Sequence, residues 1–305
     1  MKLAAVVIWY NPLEIGEEKI IQNILSYSSY CEKIYIVDNS SDLHEELAKK
    51  IPNSIYISNK NVGGIAGGQN RGCEKALEDG FEWAMTMDQD SIFEAEQIKE
   101  YIRLVEEYIP TDEKAVSFGP SIKNLNETLN WTKWIRFNIL SPIKRKILGK
   151  KWKPQPPKPL FDKVERVIAS ANIINLIEWK KVGKFDEILF IDEVDYDLCY
   201  KFIRDNKNII RFNNVFLNQF FGSMEKNKII KRYYGNYSEN RIFYHFRNAL
   251  IQYKRYSEYR DFYKSILKHQ IIDFIILSKK PLHRFCLYRK AYTESKNIME
   301  KYYND

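Results

Sequence analysis

Cysteine and histidine are scarce in this 305-residue chain, with four of each. Cys31, Cys73, Cys199 and Cys286 lie far apart and form no CxxC or Cys/His cluster. That excludes a disulfide scaffold, argues against a structural zinc site and suits a reducing, cytoplasmic compartment. The histidines are equally scattered, and no GxSxG marks a serine nucleophile. Long apolar runs are also missing: nothing approaches the roughly 18 residues of a membrane helix, and the longest candidate, 271–277, is broken by Asp273. The N-terminal run Met1-Lys2-Leu3-Ala4-Ala5-Val6-Val7-Ile8 imitates a signal peptide. It passes straight into Trp9-Tyr10-Asn11-Pro12 without a small-residue cleavage site, so it reads as a buried first strand. Repeats and low-complexity segments are absent. What is present, 45% hydrophobic and 14% aromatic residues, suffices for a sizeable core. The length suits two ordinary domains or one large α/β domain with a C-terminal extension.

The net charge of +8 is unevenly spread. From residue 206 onward there are 20 lysines and arginines against 8 acids, and before it 28 against 32. The C-terminal part is therefore expected to face something anionic: nucleic acid, a lipid headgroup surface or a phosphate-bearing substrate. No zinc finger, basic zipper or RNA-recognition signature accompanies the charge, which sets nucleic acid aside.

The first hundred residues alternate as parallel β/α units do. Strands are expected at 4–9, 33–38, 54–58 and 83–88, with helices at 17–28, 43–50 and 71–79, the last preceded by a glycine-rich loop. An open sheet of this kind holds its ligand outside the carboxyl ends of its strands. Asn11, Asp38, Asn61 and Asp88 all fall at or just after such ends. Further on, a helix is expected at 94–108, strands at 115–119, 167–176 and 209–216, and a helix from 178. Residues 128–160 carry nine Lys/Arg and no acid, with four prolines between Pro154 and Pro159, and read as a long basic loop. Beyond Lys226 the chain reads as helical to its end.

Asp88-Gln89-Asp90 closes a strand, and two carboxylates so placed can bind a hard divalent cation that bridges phosphate oxygens. Alone, the same triplet is also the acidic turn that caps a following helix. The segment 61–72 (Asn-Val-Gly-Gly-Ile-Ala-Gly-Gly-Gln-Asn-Arg-Gly) allows close backbone approach, and the helix after it would attract anions at its N-terminus. It matches neither the Rossmann nor the P-loop spacing. Asp38 could accept hydrogen bonds from a base or ribose, or cap a helix. Asp192, Glu193, Asp195 and Asp197 form the densest acid cluster. In an extended chain Asp195 and Asp197 would face the same way, and one of them could serve as a general base.

Together these features resemble the family 2 glycosyltransferases, and most closely their bacterial rhamnosyltransferase and galactofuranosyltransferase branch. Five segments carry the resemblance: Val7-Ile8-Trp9-Tyr10-Asn11-Pro12, Val37-Asp38-Asn39-Ser40, residues 61–68, Met87-Asp88-Gln89-Asp90-Ser91, and the run 189–199 around Asp192-Glu193-Val194-Asp195. A sixth, Arg241-Ile242-Phe243-Tyr244-His245-Phe246-Arg247-Asn248, is similar to an Arg-x-Tyr-Tyr-x-x-Arg-Asn pattern of the branch.

The resemblance covers roughly residues 4–250. It implies an α/β GT-A (nucleotide-diphospho-sugar transferase) fold with a mostly parallel, Rossmann-like sheet. Residues 1–225 would be the catalytic domain, with 1–120 binding the nucleotide sugar and 121–225, including the basic loop, on the acceptor side. Residues 226–305 would be a helical basic extension.

By the same resemblance Tyr10, Asn11, Asp38, Asn61, Gly63, Gly64, Gly67, Gly68 and Asp88 would bind the donor. Asp88 and Asp90 would carry Mg²⁺ or Mn²⁺. Asp195 would be the catalytic base, and Asp192 and Glu193 would lie on the acceptor side. The family's His-x-x-Gly is replaced by Gln219-Phe220-Phe221-Gly222, a poorer metal ligand than imidazole; His245 could substitute, but its helical setting favours a structural role.

The implied activity is an inverting, metal-dependent hexosyl transfer, rhamnose from dTDP-rhamnose being the leading donor. The acceptor would be a growing surface polysaccharide or lipid-linked oligosaccharide, for the capsule or cell wall. UDP-sugar-dependent galactofuranosyl, galactosyl or glucosyl transfer is the alternative, and a non-catalytic nucleotide-sugar-binding subunit a third, opposed by the intact Asp88, Asp90 and Asp195. The basic C-terminal region suits either peripheral contact with anionic lipid or packing on the catalytic domain or on a second subunit in a homodimer.

Overall fold

The computed structural model describes residues 1–124, 159–219, 224–226, 233–235, 238–272 and 281–304. The basic segment 128–160, apart from its last two residues, lies outside the described residues.

Strand β1 (Leu3–Trp9) is buried along its whole length. Alternate side chains serve two cores. Leu3, Ala5, Val7 and Trp9 pack with Ile20, Ile24 and Tyr27 of α1 (Glu17–Ser28) and with Ile98, Tyr101 and Val105 of α4 (Ala95–Tyr108). Ala4, Val6 and Ile8 face the opposite layer with Ala66, Cys73 and Ala76 of α3 (Gly64–Glu78), Trp179 of α5 (Leu176–Lys181) and Leu198 and Phe202 of α6 (Val194–Arg204). Helices on both faces explain why the central strands read as continuous apolar runs instead of alternating ones.

β2 (Lys33–Asp38), β3 (Ser54–Ser58) and β4 (Trp83–Asp88) complete the parallel half, in the order β3-β2-β1-β4. A short helix, α2 (Glu45–Ala48), joins β2 to β3. In register, Trp9 lies beside Asp38 and Ile8 beside Asp88, so these strand ends share one rim. Beyond β4 the sheet is mixed. β8 (Asn172–Asn175) runs antiparallel to both β4 and β6 (Ala115–Asn124). β9 (Asn208–Gln219) is parallel to β6, while β5 (Ser91–Ile92) and β7 (Phe161–Lys163) pair with β9 antiparallel. The parallel character is thus concentrated in the first hundred residues.

Three elements depart from the sequence expectation, one being the strand expected at 167–176, which is a strand only over Asn172–Asn175 before α5 begins. The glycine-rich segment is helical from Gly64 onward, not a loop up to residue 70. Glycine in a helix costs about 1 kcal/mol each, and packing supplies the reason. A Cβ on Gly72 would lie 2.3 Å from Val6 Cγ1, and one on Gly67 2.2 Å from the Val62 carbonyl oxygen. Only bare backbone lets α3 lie this close to β1. Past Lys226 the chain is not helical throughout: β10 (Met224–Lys226) pairs antiparallel with β11 (Tyr233–Gly235). Three α-helices follow among the described residues, α7 (Glu239–Arg255), α8 (Arg260–Ile271) and α9 (Pro281–Asn304). They pack through aromatic stacking such as Phe246 on Tyr288, with ring centroids 3.9 Å apart. Among the described residues no helix is long and apolar enough to cross a membrane.

Candidate active site

The carboxyl ends of β1, β2 and β4 carry the first group of candidates. Tyr10 is 55% exposed, its ring open to the rim. Its backbone is clamped by Gln89: the Tyr10 N–H donates to Gln89 Oε1, and Gln89 Nε2 donates to the Tyr10 carbonyl, both at 2.9 Å. The middle residue of Asp88-Gln89-Asp90 therefore ties the carboxylate pair to the loop after β1. Asn11 adopts a left-handed conformation, φ 48°, and its N–H donates to Ser40 Oγ at 2.8 Å.

Asp38 is only 1% exposed. Its Oδ1 accepts from the Ser40 N–H at 2.9 Å; Oδ2 accepts from the Tyr56 hydroxyl and lies 2.8 Å from His44 Nδ1. Burial alone would raise its pKa, but the bonds from Ser40, His44 and Tyr56 hold it below the usual carboxylate value. Both oxygens are thus engaged by the protein. The sequence leaves two readings, a carboxylate offered to base or ribose or a helix cap; in the structure it also braces the rim.

A similar difference holds at the glycines. In the first turn of α3 the Gly64 N–H donates to the Asn61 carbonyl at 3.1 Å, and the Ile65 and Ala66 N–H groups to the Phe190 carbonyl at 2.8 and 3.4 Å. The anion-attracting helix end expected from the sequence is already used. Gly63 and Gly64 have left-handed φ of 66° and 62°, which turns the chain from the half-buried Asn61 into the helix. Gly68 is buried against the Asn39 amide, and Asn39 Nδ2 donates to the Gly64 carbonyl at 2.9 Å.

The second group forms around residues 169–170, a junction that the sequence reading missed. The Ala169 N–H donates to Asp195 Oδ2 at 3.1 Å. Ser170 Oγ accepts from the Asp88 N–H at 3.4 Å and pairs with Ser91 Oγ at 2.6 Å. Two consecutive residues therefore hold Asp195 on one side and the start of Asp88-Gln89-Asp90 on the other. Gln219, at the end of β9, donates through Nε2 to Asp88 Oδ2 at 2.9 Å. Phe220, Phe221 and Gly222 of the same pattern lie outside the described residues.

The electrostatics match this proximity. Burial, then Asp90 and Asp195, push Asp88 up to about 7 against the Gln219 hydrogen bond; burial likewise raises Asp90. Burial pushes Asp195 to about 6, countered by N–H groups of Tyr196 and Ala169. Arg241, in the first turn of α7, donates to Asp192 at 3.1 Å, and its charge lowers both Asp88 and Asp90. Arg241 heads the segment 241–248 that carries part of the family resemblance, but the sequence did not tie it to Asp88 and Asp90.

The acidic stretch does not behave as an extended chain. Asp195 and Asp197 lie in the first turn of α6 and diverge. Asp197 is fully buried, paired with Lys201 at 2.9 Å and Arg255 at 3.4 Å and bonded by the Tyr256 hydroxyl at 2.9 Å. Glu193, expected on the acceptor side, points into the C-terminal helices. It accepts from the Tyr263 hydroxyl at 2.6 Å, and burial pushes it up to about 8. Asp192, half-buried, pairs with Arg241. His245 is bonded to Gln270, and burial lowers its pKa.

The donor set at Asp88 and Asp90 fits Mg²⁺ or Mn²⁺. All its atoms are oxygens, the Asp90 charge raises Asp88, and Gln219 Oε1 is buried with no hydrogen-bond partner among the described residues. Among the described residues no cluster of three or more His, Cys, Asp or Glu is placed for a metal. Mg²⁺ commonly takes one or two carboxylates and completes its shell with substrate phosphates and water.

Several solved structures share this fold. S. aureus TarS residues 1–349 in complex with UDP-GlcNAc superpose with a TM-score of 0.58 at 15% identity, over 97% of this chain and 80% of that one. A longer TarS chain gives 0.50 at 16% identity over 90% of this chain, which spans 44% of its length. GalNAc-T7 with UDP, GalNAc and Mn²⁺ gives 0.50 at 11% identity, over 72% of this chain and 44% of that one. No curated protein matches the chain in sequence. The fold, with acidic side chains at the carboxyl rim of a parallel half-sheet, is that of the GT-A class. Residues 6–158 match the profile of Glycosyl transferase family 2, and the chain belongs to that family.

Proposed function

We propose that the protein is an inverting, divalent-metal-dependent glycosyltransferase that moves rhamnose from dTDP-rhamnose onto a growing surface polysaccharide or lipid-linked oligosaccharide. The observation that carries the catalytic part is the Ala169–Ser170 junction, which brings Asp195 and Asp88 to the two sides of one short segment. In this reading Asp195 takes the proton of the acceptor hydroxyl as that oxygen attacks the anomeric carbon. The bond from that carbon to the diphosphate oxygen breaks on the opposite face, and the electron pair leaves with the nucleotide. Asp88 and Asp90 would hold the cation, which supplies positive charge to offset the departing diphosphate. Arg241 adds a fixed positive charge on the same side. Tyr10 offers an exposed ring for the base, with Asn11 next to it, and Asn61 follows the end of β3 on the same sheet.

Thymine differs from uracil by one methyl, worth about 1–3 kcal/mol in an apolar pocket, so a UDP-sugar donor is the competing reading. The test is a thermal-shift comparison of dTDP, UDP, GDP and CDP with and without Mn²⁺. A nucleotide at about 100 times its Kd adds roughly 2.7 kcal/mol, on the order of 5–10 °C for a chain of this size. A Mn²⁺-dependent shift with dTDP above UDP is expected. UDP above dTDP transfers the proposal to UDP-sugars, and no shift with any nucleotide removes it.

The lipid-linked acceptor is supported by the surface of α9. Leu282 and Phe285 are 82% and 58% exposed, with Arg289 on the same stripe. Apolar residues among cations suit an interfacial helix on anionic lipid. Co-flotation with phosphatidylglycerol vesicles, weakened by added salt, is expected; failure to float would remove the membrane contact.

A further inference from the structure

We infer that Asn248, oriented by Arg247, is a positioning residue that sets the place of Asp195 from the C-terminal helices. The inference rests on the glycosyl-transfer reading in which Asp195 is the base.

The segment leading into Asp195 is strained. Phe190, Asp192 and Glu193 have φ of 64°, 62° and 65°. Non-glycine residues persist in this region only where the surroundings over-determine them, and they gather at functional sites. The surroundings here come from α7. Asn248 is fully buried, and its Nδ2 donates to the carbonyls of Leu189 and Ile191 at 2.7 Å and of Asp192 at 3.1 Å. One amide thus gathers three carbonyls of the left-handed turn. Gln252, one turn further along, donates to the Glu193 carbonyl at 3.5 Å and to Asp197 Oδ1 at 3.3 Å.

Arg247 decides which end of the Asn248 amide faces that turn. Its Nε and Nη2 both donate to Asn248 Oδ1, at 3.0 and 2.9 Å. With the oxygen taken by two guanidinium N–H groups, the NH₂ is left to point at the carbonyls. Arg247 also donates to the carbonyls of Ile188 and Leu189. Its Nη1 is anchored by Glu294 of α9 at 2.6 Å. A connected chain therefore runs from Glu294 through Arg247 and Asn248 to the turn at 189–193, and on to Asp195 in the first turn of α6. The Phe190 ring stacks on Tyr244 of α7, centroids 4.8 Å apart, and its carbonyl caps α3. The same turn therefore also touches the helix that borders the donor rim.

The experiment compares dTDP release from dTDP-rhamnose by the wild type, Asn248→Ala and Glu294→Gln, with the pH–rate profile of each. Misplacing a catalytic group by about 1 Å can cost on the order of 10²-fold in rate. A loss of that size in kcat is expected for Asn248→Ala, with the donor KM within about threefold. The acid limb should move from about 6 toward the ordinary carboxylate range as water reaches the loosened Asp195. Glu294→Gln, on a half-exposed side chain, should show the same signature more weakly. A folded Asn248→Ala enzyme with wild-type kcat overturns the inference, and so does a kcat loss equal to the unfolded fraction with the acid limb unmoved. If Asn248→Ala does not fold, an unchanged Glu294→Gln profile overturns it. Asp195→Asn separates the two levels: normal turnover there removes the underlying reading, whereas an inactive Asp195→Asn beside a normal Asn248→Ala removes only this inference.

Discussion

Asp195→Asn is expected to lower turnover by about 10²–10⁴-fold, the range that general-base assistance supplies, while leaving nucleotide binding intact. The substitution is conservative in shape. Asparagine keeps an oxygen for one of the two N–H groups that hold Asp195, those of Tyr196 at 2.9 Å and Ala169 at 3.1 Å. The other loses its acceptor, at a stability cost of about 1–3 kcal/mol. That cost is readable as a small fall in Tm and is too small to account for the rate loss. The wild type should show the matching pH dependence. Burial raises Asp195 to about 6, so the base is charged above that pH and protonated below it. kcat/KM should therefore fall tenfold per pH unit below about 6, and the residual activity of the variant should lack this limb. A variant turning over at the wild-type rate would remove Asp195 from the chemistry.

The residue-by-residue agreement is closest where local pattern alone decides structure. β2, β3, β4 and α1 begin and end where the sequence places them. Their apolar runs are bounded by turn residues, and α1 repeats Ile20, Ile24 and Tyr27 at helical spacing. The departures come from tertiary contacts that override propensity. Gly64 and Gly67 fall in the expected loop, yet they are helical, at places where Phe190 and Val62 leave no room for a side chain. Asp195 and Asp197 look like neighbours on one face until α6 begins at Val194 and separates them.

The site divides in the same way. Asp88 and Asp90 are legible as carboxylates at a strand end. The partners that give them meaning lie about 80 to 150 residues away: Ser170, Asp195, Gln219 and Arg241. No local pattern reports contacts of that range. Asn248 is the extreme case: it closes the segment 241–248 that carries part of the family resemblance, yet its task is visible only once the carbonyls of Leu189, Ile191 and Asp192 are found against it.

Withdrawal of divalent cation is expected to reduce turnover by at least 10²-fold, because charge stabilisation of this kind is worth several kcal/mol and about 1.4 kcal/mol corresponds to each tenfold in rate. The apo protein should also carry a distinctive stability profile. Burial together with carboxylate repulsion raises Asp88 to about 7, and burial raises Glu193 to about 8 and Asp195 to about 6. For each, the folded value lies above the unfolded one of about 4. Each therefore adds stability at pH below about 4, and that stability is lost as pH rises through the folded value. Asp38 and Asp197, held low, act only below the usual carboxylate range, and buried His245, held below the usual imidazole value, adds stability with rising pH only up to about 6.5, so the raised carboxylates dominate from there to 8. Between pH 6 and 8 the metal-free protein should lose Tm by several degrees, at up to about 1.4 kcal/mol per pH unit for each titrating group and about 2–4 °C per kcal/mol. Mn²⁺ with nucleotide should flatten the part of the slope that belongs to Asp88, since a bound cation favours its charged form. The part that belongs to Glu193 should remain, because its carboxyl faces Tyr263 and not the carboxylate pair. Asp90→Asn, which removes one carboxylate without disturbing the Gln219–Asp88 bond, should abolish the response to Mn²⁺ while keeping the Glu193 slope. A Tm that rises from pH 6 to 8 in the metal-free protein would contradict the raised carboxylates. A slope unaffected by Mn²⁺ and nucleotide would contradict a cation at Asp88 and Asp90.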